Sequence, residues 1–68
     1  MAHAHPTILR LPTVKERTAL SRSSIYKFIA AGSFPKSVRL GPRAVGWLES
    51  GIDEWITARV AESRESPT

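Results

Sequence analysis

Apolar residues along the chain fall into short runs whose spacing switches from helix-like to strand-like and back. After an opening MAHAHPT with little to pack, ILRL reads as a short strand or extended segment. Pro12 follows where a first helical turn tolerates a missing N–H. Leu11, Val14 and Thr18 share one face, so PTVKERTA predicts a short first helix that stops near Leu20. Ser21 is a favourable N-cap, and Leu20 ahead of it can staple onto Ile25. Ser24 stands where Glu or Gln would close a capping box, leaving that box half made. Ile25, Phe28 and Ile29 then form a core stripe, and Gly32 is the expected stop of a second helix over about residues 22–31. Two short helices joined by so tight a turn predict a helix-turn-helix.

The next stretch, FPKSVRLGPRAVGWLE, changes period. Val38 and Leu40 alternate with Ser37 and Arg39, GPR breaks the run, and Val45 and Trp47 alternate with Ala44 and Gly46. The pattern predicts a two-stranded hairpin with a Gly-Pro turn. An isolated hairpin is marginal in water, so its apolar face is expected to lie on the helices. Ser50 is expected to cap a third helix with Asp53 at the capping-box position, and Ile52, Trp55, Ile56 and Val60 line its apolar stripe. No repeat, linker or second domain is visible. The predicted fold is α+β, mainly α: a small winged helix-turn-helix of three helices plus a two-stranded β-hairpin wing. Its expected limits are residues 8–62, with a flexible arm at 1–7 and a frayed tail at 63–68.

Composition narrows the function. The chain has 68 residues and no cysteine, so one small core must be held by packing, without disulfides or a thiolate metal cage. No apolar run approaches the roughly 20 residues of a membrane span, and the first residues lack the charged-then-apolar layout of a secretory signal. A cytoplasmic protein with no membrane partner is expected. The net charge of +4 is unevenly distributed: residues 1–48 carry eight Lys and Arg against Glu16 alone, whereas residues 49–68 carry two Arg against five acids. A basic body with an acidic end is the footprint of polyanion binding, the acidic end turned away.

Candidate contacts follow from the second helix. With Ile25, Phe28 and Ile29 facing the core at 100° per residue, Ser23, Lys27 and Ala30 project outward, Tyr26 and Ser24 flank them, and Arg22 swings out from the first turn. A B-DNA major groove, about 12 Å wide, accepts one helix and is read by its N-terminal residues. Ser23 and Ser24 can bond phosphate or base, Tyr26 phosphate, and Lys27 phosphate or guanine, while Arg22 has the fork geometry for guanine O6 and N7. Arg39 and Arg43 beside the hairpin tip suit phosphates or a narrow minor groove, and Lys36 extends the phosphate contacts.

Other chemistries find less support. Glu49 and Asp53 share a helix face but lack a His, Lys or metal partner to tune them for acid–base work. His3 and His5 have no Cys or Asp nearby to complete a metal site. Neither a Walker nor a dinucleotide glycine pattern is present. Trp47 and Trp55 lie on apolar faces, which suits a core better than base stacking. No catalytic residue, metal, cofactor or small-molecule substrate is therefore expected. The competing class is a protein-interaction module whose terminal helix or hairpin edge docks a larger partner such as an integrase.

The stretch LSRSSIYKFIAAGSFPKSVRLGPRAVGW, followed by a spaced Ile and Trp, resembles the AlpA family of phage and prophage regulators, which is similar to excisionases and MerR-type winged-helix domains. The likeness runs from about Ile8 to Val60, and S.SSIY, G.FP and LG.R.VGW are its most specific parts. It implies a nucleoid-associated bacterial DNA-binding protein that contacts double-stranded DNA through Arg22, Ser23, Ser24, Tyr26 and Lys27 and through Arg43 on the wing. It makes Phe34, Trp47 and Trp55 core residues. It further implies a transcriptional regulator of integrase genes or a recombination directionality factor, working as a dimer or cooperative multimer. Ala19 departs from the family, which often has Gly in the turn before the recognition helix. If that position needs a positive φ, alanine costs about 1 kcal/mol.

Overall fold

The computed structural model describes residues 6–65, in the order β1 (Ile8–Leu9), α1 (Leu11–Thr18), α2 (Arg22–Ala30), β2 (Val38–Gly41), β3 (Ala44–Leu48) and α3 (Glu49–Glu65). The strands form one antiparallel sheet in the order β1-β3-β2. The expected hairpin thus gains a third strand. Ile8 pairs with Leu48 and Leu9 with Trp47, and the Glu49 N–H extends this ladder to the Thr7 carbonyl at 2.8 Å. Thr7, placed by the sequence in a loose arm, is therefore held by the sheet, whereas residues 1–5, including His3 and His5, lie outside the described residues.

The core draws one buried side chain from nearly every segment: Leu9 of β1, Val14 of α1, Ile25 of α2, Phe34 of the following loop, Trp47 of β3 and Ile52 of α3. β2 contributes none. Leu11, Leu20, Phe28, Ile29, Val45, Trp55 and Ile56 pack half-buried around that cluster. Burying a large aliphatic or aromatic side chain stabilises by about 1.5–3 kcal/mol. With so few such residues, every one of these contacts matters.

Local chemistry ends the helices where the fold must turn. At the end of α1, the Thr18 hydroxyl donates to the Val14 carbonyl at 2.7 Å and accepts the Leu20 N–H at 3.3 Å. Ala19 then takes φ 61° and ψ 21°, the left-handed region that disfavours a Cβ. Ser21 caps α2 by accepting the Ser24 N–H at 3.2 Å, and its hydroxyl donates to the Ser24 hydroxyl at 3.1 Å, which steadies the cap. The far end of α2 is a Schellman turn. The Ser33 N–H reaches the Phe28 carbonyl at 2.9 Å and the Gly32 N–H reaches Ile29 at 3.0 Å, with Gly32 at φ 79° as that geometry requires.

Several expectations are corrected. The hairpin does not lay all its apolar residues on the helices: Val38 pairs with Gly46 and Arg39 with Val45, so Val38 and Leu40 face away from the core and are 38% and 44% exposed. The reason is register. Trp47 fixes the inner face of β3, Val45 shares that face, and the residue opposite Val45 is Arg39. An irregularity between Arg39 and Gly41 leaves Leu40 reaching over Gly46 on the outer face, where a Cβ on Gly46 would overlap Ile8 Cγ2 and stand 3.0 Å from the Leu9 carbonyl oxygen.

The third helix also differs. It starts at Glu49, directly off β3, because the Glu49 N–H is already satisfied by Thr7; Ser50 lies inside the helix and does not cap it. Asp53, expected at the capping-box position, and Glu49 one turn before it both accept from Arg17 of α1, at 3.2 and 2.7 Å. The helix continues to Glu65, beyond the boundary expected at residue 62. Its 17 residues span about 25 Å. Val60, two turns past Ile52, has left the core and is 45% exposed.

Ala19→Gly is expected to raise stability by about 1 kcal/mol, or roughly 4–8 °C in Tm, by removing the left-handed penalty. Thermal unfolding followed by circular dichroism checks this, and an unchanged or lowered Tm would contradict the strained turn.

Candidate nucleic-acid interface

Two indoles position the wing relative to α2. Trp47, fully buried, donates its Nε1–H to the Pro35 carbonyl at 3.1 Å, and Trp55 donates its own to the Ser33 carbonyl at 2.7 Å. Phe34 between them is buried and meets Trp55 edge-on at 4.9 Å. The loop from α2 to β2 is thereby held at both ends of SFP. Arg59 lies over the Trp55 ring at 4.9 Å, covering one face that a base would need for stacking.

Tyr26 packs against Trp47 from the α2 side, with ring centroids 6.4 Å apart and planes at 63°. The Arg22 guanidinium in turn lies 5.6 Å from the Tyr26 ring centre. Arg43, in the turn between β2 and β3, closes the opposite wall of the same cleft. Arg22, Tyr26 and Arg43 are thus brought together from two elements. Arg10, at the N-cap of α1, completes the rim. Sequence reasoning missed Arg10: it belongs to no helical stripe, and only the pairing of β1 with β3 carries it to this place.

Ser23 and Lys27 are exposed on α2, a full helical turn apart on its outward side, with Ala30 exposed beyond them. Ser24 is half-buried and committed to the Ser21 cap, which leaves it the least available of the α2 candidates. Lys36 and Arg39 are exposed along the wing but do not line the cleft; Arg39 shares the inner face of the hairpin with Val45. Among the described residues, Arg22, Lys27, Lys36, Arg39 and Arg43 have no carboxylate partner, whereas Arg17 and Arg59 do.

Acidic groups stay off this surface: none lines the cleft. A second hollow, of about 460 Å³, lies between the SFP loop and α3, with Glu54 as the charged residue of its wall, and is unsuited to an anion. Among the described residues, no cluster of three metal-ligating side chains is found, and no helix is long and apolar enough to cross a membrane.

A tight helix pair, a capped second helix with exposed hydroxyl and cationic residues, and a cationic hairpin fixed beside it define a winged helix-turn-helix protein. The profile of the family described as prophage CP4-57 regulatory protein (AlpA) matches residues 7–60. The chain is 43% identical over 58 residues to the DNA-binding transcriptional activator AlpA of Escherichia coli (strain K12), covering 76% of this chain and 83% of that protein. It is 45% identical over 53 residues to the uncharacterized protein ORF88 of Enterobacteria phage P4, covering 78% of this chain and 60% of that one. The chain belongs to the AlpA family of prophage regulatory proteins. That is a family of regulators, not of enzymes.

Trp47→Phe removes the bond to Pro35 and leaves a part-buried carbonyl short of a partner, so a loss of about 1–3 kcal/mol is expected in urea unfolding. A loss below about 0.5 kcal/mol would show that the indole N–H does not hold the loop.

Proposed function

We propose that the chain is a sequence-specific double-stranded DNA-binding regulator of phage or mobile-element origin, with α2 in the major groove and the wing on phosphates or the adjoining minor groove. The observation that carries this reading is the convergence of Arg22 and Tyr26 from α2 with Arg43 from the wing in one cleft free of acids. The relative named a DNA-binding transcriptional activator supports the same reading.

Contacts then divide by position. Ser23 and Lys27 face outward on α2 and read base edges, helped by the small Ala30, which lets the helix sit deep. Arg22 and Tyr26, held against each other, contact phosphate, as do Lys36, Arg39 and Arg43 along the wing. Ser24 serves mainly to hold the N-terminus of α2 in shape for the groove. No cofactor takes part, and the place of action is the bacterial cytoplasm, on the nucleoid.

So small a domain covers few base pairs, so specificity requires a dimer or several copies on adjacent sites. An integrase enters this reading through the gene or site that is regulated. Transcriptional control is favoured by the relative's name, and footprinting on DNA flanking the protein's own gene separates the two family roles. Protection at a promoter supports control of transcription; a protected cluster inside an attachment site supports recombination directionality.

Neutralising about four to six phosphates gives log K against log salt a slope near −4 to −5 for duplex DNA. Salt-titrated anisotropy checks this, and a slope near zero would contradict duplex binding through these cations. Lys27→Ala is expected to weaken the cognate duplex more than a random one, by about 1–3 kcal/mol of discrimination. Arg43→Ala is expected to weaken both equally, as a phosphate contact does. Full affinity in either variant would remove that residue from the interface.

A further inference from the structure

Arg10, Arg22 and Arg43 lie 12 and 21 residues apart in the chain, on the lead into α1, on α2 and on the wing, yet all three line one cleft of about 330 Å³. Its apolar walls include Leu11 and Val45. Among the described residues, none of the three arginines is paired with a carboxylate. Three guanidinium groups around one hollow repel one another, and the fold supplies no internal acid to offset them. An anion from outside is what that arrangement lacks.

A second feature points the same way. α1 begins at this rim with Arg10 as an N-cap that makes no side-chain bond, and its first turn holds no acidic residue. The positive end of its dipole is therefore left uncompensated beside the cleft. Tyr26 keeps the Arg22 head in place by stacking, which lowers the cost of ordering it for a ligand.

We propose that this cleft is a phosphate seat, in which a single backbone phosphodiester of duplex DNA is held jointly by Arg10, Arg22 and Arg43. The inference rests on the DNA-binding reading above and adds two things to it. Arg10, outside both the recognition helix and the wing, becomes a contact residue. The cleft also clamps the strand where helix and wing meet, so α1, α2 and the wing share one phosphate that sets the depth of the helix in the groove. Guanidinium forks bind phosphate oxygens in bidentate geometry, which a lysine provides only as a point charge.

The test uses the full chain with cognate and random duplexes across a salt series, and circular dichroism to confirm folding of each variant. Arg10→Ala is expected to weaken both duplexes equally, about 5- to 10-fold near 100 mM salt, while changing the slope by less than about 0.9, because Arg22 and Arg43 still neutralise the shared phosphate. Arg10→Lys restores only part of the affinity. Because one phosphate is shared, the Arg10→Ala/Arg43→Ala double variant loses less than the product of the two single losses. Multiplicative losses would mean two separate phosphates and overturn the shared seat. Full affinity in Arg10→Ala, with binding still weakened in Arg43→Ala, would remove Arg10 from the interface and leave the DNA-binding reading standing. Absence of duplex binding by the unaltered chain would overturn that reading itself. Inorganic phosphate at matched ionic strength is the last arm: if Arg10→Ala alters its binding but not that of DNA, the cleft takes free phosphate instead.

Discussion

The structure depends on the fixing of one loop by two indole N–H groups. Trp47 and Trp55 grip the carbonyls of Pro35 and Ser33, and Phe34 is driven into the core between them. A 68-residue chain without disulfides cannot afford many such restraints, and this one sits where α2 hands over to the wing. The Schellman turn at Gly32 sets the exit direction of α2, and the tryptophans then decide where β2 starts. Because Trp47 also contacts Tyr26, the same side chain that anchors the wing supports the residue on which Arg22 stacks. Cations on two separate elements are thus referred to one buried ring.

The third helix, α3, has a different task. Its acidic first turns take up Arg17, tying α1 to α3 and removing one cation from those available to a polyanion. These pairs are partly exposed and worth about 0–1 kcal/mol, so their effect is more on charge layout than on stability. The basic surface left over is carried by α2, the wing and the lead into α1. This division explains how a chain with a net charge of only +4 can present an acid-free cleft lined by three arginines.

Much of this was legible in the sequence because local signals agreed with the fold. Ser21, the Ile25, Phe28 and Ile29 stripe and Gly32 placed α2 nearly to the residue, since caps and periodicity act within a few positions of one another. What stayed hidden depended on pairing between distant segments. Alternation showed that Val38 and Leu40 share a face, but which face is set by register against β3, and that register turned them outward. Ser50 carried a plausible cap signal that lost to the Thr7 carbonyl, a partner 43 residues away in the chain. Arg10 had no local pattern at all and reached the candidate site through the short β1 strand. Ala19 is the reverse case: the resemblance raised a positive φ there only as a condition, and the backbone takes φ 61° at that residue.

The central claim is that α2 and the wing present one continuous cationic surface to duplex DNA. Mapping backbone amide shifts of the labelled chain on adding a short duplex tests it most directly. The shifts expected are concentrated at residues 22–27, around the turn at 42–43 and at the start of α1, with the distal half of α3 and the outer face around Val38 and Leu40 silent. Shifts confined to α3 or to that outer face, with α2 unmoved, would contradict it.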